Sequence, residues 1–188
     1  MLDIADALAD AVLGANEAVV RRTGTCPQPQ VHILAEDRER PYLGYVVCRR
    51  FRRGPDAASA VVGLGLLPST LRATRLIVAW EELDLRGAMQ VPTEQAETGF
   101  VLVDARLDTH VLRWHPFQTQ AAPEGAGETA TLRWGAPARY ERIPLPDPIE
   151  AMLTLWREFR DGDLEQTAAH LQRAGYELHW AGSRDQGR

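Results

Sequence analysis

The sequence predicts an α+β domain: a mixed, mostly antiparallel sheet of about six to seven strands, with helices packed on at least one face. Three observations carry this prediction. The run Arg75-Leu-Ile-Val-Ala-Trp80 is apolar on both alternating sides, as in a central strand covered above and below. Apolar residues recur at helical spacing near both ends of the chain. The elements run helix, two strands, helix, several strands, two helices, strand, without the strict strand–helix alternation of a doubly wound fold. One domain over residues 1–182 is expected, followed by a polar, frayed tail at 183–188.

The first helix is marked by Leu8, Val12, Ala15 and Val19, spaced i, i+4, i+7 and i+11. Asp3, Asp6 and Asp10 oppose the positive end of its dipole, Arg21 and Arg22 complement the other end, and Gly24 stops it. A short connector with Pro27 and Pro29 leads to a strand pair, Val31–Glu36 and Tyr42–Arg50, joined by a polar turn. A second helix starts at Pro55, where a missing amide hydrogen is harmless, and ends near Gly65; Pro68–Leu71 adds a further turn. After the central strand, Phe100–Asp104 and His110–Trp114 form a hairpin, and Thr129–Trp134 is another short strand. Leu112-Arg-Trp114 and Leu132-Arg-Trp134 echo one another, suggesting strands that turn arginine outward and tryptophan inward. The proline-rich Pro137–Pro148 segment reads as a surface strap. It delivers a third helix capped by Asp147, with Met152, Leu155, Trp156 and Phe159 along one face. Asp163 and Gln166 resemble a capping box for a fourth helix, which Gly175 ends before a last strand at Tyr176–Trp180.

Composition narrows the chemistry. The 188 residues carry 21 basic and 26 acidic side chains, for a net charge of −5, which argues against a surface built throughout for nucleic acid. All the basic residues except histidine are arginine, so Schiff-base chemistry and a complete Walker A loop are excluded. Ser59, Ser69 and Ser183 are the only serines, and none sits in a Gly-x-Ser-x-Gly elbow. Cys26 and Cys48 make neither a metal framework nor a Cys-x-x-Cys pair. The acidic start and the lack of a long apolar stretch make cytoplasmic residence the expectation, with no membrane partner.

Three groups of residues are candidates for function. Arg49-Arg-Phe-Arg-Arg53 lies just before the second helix, where Arg49, Arg50, Arg52 and Arg53 suit an acidic protein or a phosphate-bearing ligand. A solvated strand end, neutralised by Glu36, Asp37 and Glu39, is the simpler reading of the same run. Glu81, Glu82 and Asp104 close apolar strands and offer hard oxygen ligands for Mg²⁺ or Mn²⁺. With His115 as base, near Asp104 or Asp108, they would make a metal-dependent phosphoesterase or nuclease. Strand ends also carry charge simply because charge prefers water. His110 and His115, five residues apart on one strand, point to opposite faces and cannot share a metal. The expectation is therefore a non-catalytic interaction or ligand-binding domain without a cofactor, compatible with a homodimer through a sheet edge or helix face. The metal-dependent enzyme is the alternative.

Overall fold

The computed structural model describes residues 3–123, 125 and 127–182. The expected frayed tail at 183–188 lies outside the described residues. The chain runs through α1 (Ile4–Thr23), β1 (Gln30–Leu34), β2 (Tyr42–Val47), α2 (Pro55–Gly63), α3 (Leu66–Thr70), β3 (Arg75–Glu81) and α4 (Glu82–Ala88). It continues with β4 (Gly99–Arg106), β5 (His110–Ala121), β6 (Ala130–Trp134), β7 (Ala138–Glu141), α5 (Asp147–Glu158), α6 (Leu164–Ala174) and β8 (Glu177–Trp180). The strands form one sheet in the order β6-β5-β4-β3-β1-β2-β8, and β7 also pairs with β5. Every pairing among the described residues is antiparallel. The architecture is the α+β type that the sequence predicts, with eight strands in place of six to seven.

Period-two alternation sorts the strand residues between two apolar layers. Val31, Val46, Leu76, Val78, Val101 and Val103 face α2, α3, α5 and α6, whose Val61, Leu64, Leu67, Met152 and Trp156 complete that core. Leu34, Ile77, Ala79, Phe100 and Leu102 face the opposite way, toward α1. All seven residues of β3 are therefore buried. On the four-helix side, Trp156 is fully buried and its Nε1 donates to the Ala73 carbonyl at 3.1 Å. On the other side α1 buries Ala5, Ala9, Val12, Asn16 and Val20, so its inner stripe is rotated from the Leu8–Val19 row the sequence suggests. Two alanines let the helix approach the sheet closely, and Asn16 tolerates burial because its side-chain oxygen accepts from Gln30 Nε2 at 2.7 Å. No helix among the described residues is long and apolar enough to cross a membrane.

Several local expectations are corrected. β2 stops at Val47, and the Arg49–Arg53 run is a loop rather than a strand end. Glu81, Glu82 and Asp84 do not decorate a bare strand end: they begin α4, with Glu81 as N-cap accepting from the Asp84 amide at 2.6 Å. Ala138–Glu141, expected as part of the strap, is β7, paired with Val111–Trp114. At α5 the N-cap is Pro146, and Asp147 is the first helical residue. The arginine–tryptophan echo splits between faces. Trp114 packs toward the four-helix side and Trp134 toward α1, while Arg113 points inward to bond Asp6 of α1. At the β8 edge, Gly44 adopts φ 135°, and a Cβ there would overlap the His179 carbonyl. Only glycine lets β8 lie flush on β2.

Candidate functional site

The two halves of the expected carboxylate site are at opposite ends of the sheet. Asp104 pairs in register with Ile77, whereas Glu81 pairs with Phe100. Four residues along a strand separate them, about 13 Å. Asp104 is committed to Arg75, receiving Nε and Nη2 at 2.7 Å each. The same guanidinium donates Nη1 to Asp3 (2.8 Å) and Glu36 (2.9 Å). Asp104, and after it Glu36 and Asp3, hold Arg75 charged, with its pKa raised despite burial. This end of β3 is a structural clamp on the start of α1. His115 does not reach Asp104: it pairs in register with Phe100, its ring meets Trp134 edge-on at 6.5 Å, and burial lowers its pKa, helped by Arg113. His110, on the other face, bonds the Ile143 carbonyl through Nε2 at 2.8 Å. Glu81, Glu82, Asp104 and His115 thus do not converge on one cleft.

Glu81 instead meets Cys26 and Asp84 beyond the far end of α1. One ligand atom from each lies within 4.8 Å of the others. Burial raises Glu81 and pushes Cys26 up to about 12, with both carboxylates adding to the effect on the thiol. Both Glu81 oxygens are already occupied, one by the Asp84 amide and the other by the Gly99 amide at 2.9 Å. That geometry is a helix cap fastened to a neighbouring strand. A second cavity, of about 870 Å³, opens here, with Phe51 and Arg53 among its walls.

The arginine run forms the loop between β2 and α2. Arg49 is committed to Asp56 in the first turn of α2 (Nη2 to Oδ1, 2.6 Å), and the Arg52 amide donates to the other oxygen at 2.7 Å. Arg49, then the Arg52 amide, holds Asp56 down to about 2. Arg50, Arg52 and Arg53 are exposed, and among the described residues their guanidinium groups form no ion pair. Gly54 then turns with φ 87°, and its amide donates to Ala88 at the end of α4 at 2.7 Å, pinning the loop to that helix.

A further cleft involves, of the arginine, carboxylate and histidine candidates, only Glu82. It lies on the same side of the sheet as the four-helix layer, between α4 and β7, where Leu112 and Trp114 of β5 are only partly buried against that core. Trp80, Val101, Leu112 and Trp114 line the floor of this cleft of about 1040 Å³. α4 and the following segment contribute Leu85, Met89 and Val91; Tyr140 of β7 and the strap residues Ile143, Pro144 and Leu145 close the opposite side. Trp80 is buried and held by its neighbour: its Nε1 donates to Glu82 Oε2 at 2.9 Å. Glu82 Oε1 accepts from Arg86 Nε at 2.6 Å. Trp114 is half-buried, and Tyr140 is 45% exposed. The sequence signals for this cleft were the tryptophans and the proline-rich strap, each of which also serves an ordinary core or surface. Comparison with protein-family models, curated proteins and solved structures gives no match.

Proposed function

We propose that this chain is a non-catalytic binding domain for a small, largely apolar molecule held in the Trp80–Trp114–Tyr140 cleft. The observation that carries this reading is the cleft itself. It is about 1040 Å³ in volume, apolar and aromatic along its floor, with polar groups around its rim. Binding sites for small molecules have this size and composition. The nucleophile–base–orienter arrangement that a catalytic reading needs is not assembled there, since the polar groups are one Glu82–Arg86 ion pair and scattered rim residues.

The test uses 1-naphthylmethanol, a neutral aromatic probe, followed by tryptophan fluorescence and calorimetry. Saturable binding is expected, with affinity falling about tenfold in Trp114→Ala, since one aromatic wall contributes on the order of 1.4 kcal/mol. No saturable binding, or equal affinity in Trp114→Ala, overturns the proposal.

A second reading rests on the exposed guanidinium groups of Arg50, Arg52 and Arg53, which suit an acidic or phosphate-bearing partner. It predicts retention on phosphocellulose despite the net charge of −5. Arg50→Gln/Arg52→Gln should elute at lower salt with an unchanged melting temperature. Identical elution of the two proteins removes the patch from consideration.

A further inference from the structure

The charges around the cleft carry the proposed function one step further, to the class of ligand. Four ionised side chains line it: Glu82, Arg86, Glu97 and Asp147. Glu82 and Arg86 neutralise one another through their 2.6 Å bond. Glu97, on the segment after α4, and Asp147, at the start of α5, are exposed and have no ion pair among the described residues. The cleft therefore keeps two uncompensated negative charges beside an apolar floor. Of the arginine loop, Gly54 lines this cleft, while the Arg53 side lies at the other cavity.

The aromatic walls favour the same sign of charge. The faces of Trp114 and Tyr140 are electron-rich, and a cation against such a ring gains roughly 0.5–2 kcal/mol, most where it is desolvated. The Trp80 indole cannot donate to a ligand, because its only donor is spent on Glu82. Trp114 keeps its own indole N–H, a neutral donor, so the sign of charge the cleft prefers is set by its carboxylates and ring faces rather than by a lack of donors. Arg86 offers guanidinium hydrogens, but an anion reaching it enters the field of Glu82, Glu97 and Asp147.

We propose that the cleft selects a hydrophobic monocation: a small molecule with an aromatic or branched aliphatic body and one ammonium group. The body lies against Trp114 and the apolar floor, and the ammonium is drawn to the rim, where Tyr140, Glu97 and Asp147 line the cleft. This rests on the cleft being a binding site, and the experiment separates the two claims.

Three probes of one shape and different charge decide it: 1-naphthylmethylammonium, 1-naphthylmethanol and 1-naphthoate, titrated by calorimetry at low ionic strength. The ammonium probe is expected to bind about tenfold tighter than the alcohol, and the carboxylate weaker than both. Salt should erode the ammonium's advantage and leave the alcohol unaffected. In Glu97→Gln/Asp147→Asn the advantage should shrink to about twofold or less, while the alcohol's unchanged affinity shows that the cleft is intact. If the alcohol binds and the ammonium binds no tighter, the selectivity claim falls and the cleft stands. An ammonium advantage that survives the double substitution, or tightest binding by naphthoate, also overturns it. If none of the three binds, both claims fall.

Discussion

Replacing Arg75 with methionine is expected to destabilise the protein by about 3–5 kcal/mol, because it strands a buried carboxylate without its counterion. Arg75 is 3% exposed, and both oxygens of Asp104 are bonded to it. Asp104 in turn has only 11% of its side chain open to water, so solvent cannot replace the lost bonds. The substitution also releases Asp3, the N-cap of α1, whose other oxygen accepts from the Ala5 amide, and Glu36 after β1. One side chain therefore fastens the first turn of α1 to β3 and β4. The Coulomb attraction need not be the net source of stability, since removing both charges also removes both desolvation costs. Arg75→Met/Asp104→Leu should accordingly recover much of the loss. Denaturant unfolding of the two variants and the wild type checks this. A single variant within about 1 kcal/mol of wild type, the span of an ordinary surface pair, would show that the clamp is ornamental.

Acid should destabilise the fold through His32 before the carboxylates titrate fully. His32 lies on the α1 side of β1, stacked on Tyr45 with ring centroids 4.9 Å apart, and Tyr45 stacks on His179 at 4.3 Å. Its Nδ1 is 3.1 Å from the Tyr42 hydroxyl, and its buried Nε2 has no hydrogen-bond partner among the described residues. Burial lowers its pKa to about 4. The folded state thus refuses a proton that the unfolded chain accepts near pH 6.5. The His32 contribution is complete above pH 6.5, is lost as the pH drops toward 4 and changes no further below it, where the paired carboxylates take over the loss. The stability lost across that window is about 3 kcal/mol. His32→Phe keeps a ring in the stack and removes the titration, so its stability curve should be flatter across that window. Parallel curves for the two proteins would rule out His32 as the acid-sensitive group.

What the chain spells out locally and what it hides differ for physical reasons. β3 is legible because burial on both faces leaves no room for a polar residue between Leu76 and Trp80. α6 is legible because its stops are local: Asp163 accepts from the Gln166 amide at 2.6 Å, and Gly175 takes the left-handed conformation. α4 is ambiguous because acidic residues suit both a solvated strand end and the first turn of a helix. Only the direction of the Glu81 side chain, back onto the Asp84 amide, decides between them. β7 has no periodicity of its own and exists because Val111–Trp114 offers it a ladder. The arginine loop is misread as strand because Val46 and Val47 continue smoothly into it, whereas the Arg49–Asp56 bond is a contact with the next helix. The cleft was the least visible feature. Trp80, Trp114 and Tyr140 belong to three strands, and no one-dimensional pattern says that the strands pair in the order that brings these rings together.

The outer side of β5 is shared by two short strands laid end to end, β7 along Val111–Trp114 and β6 along Phe117–Ala121. Each grips β5 by only four or five residues. β7 carries Tyr140 into the cleft, while β6 sends Leu132 and Trp134 to the layer under α1. One post therefore carries two separate hangings, and the wall of the cleft and the floor beneath α1 are built by different pieces of chain that share only β5.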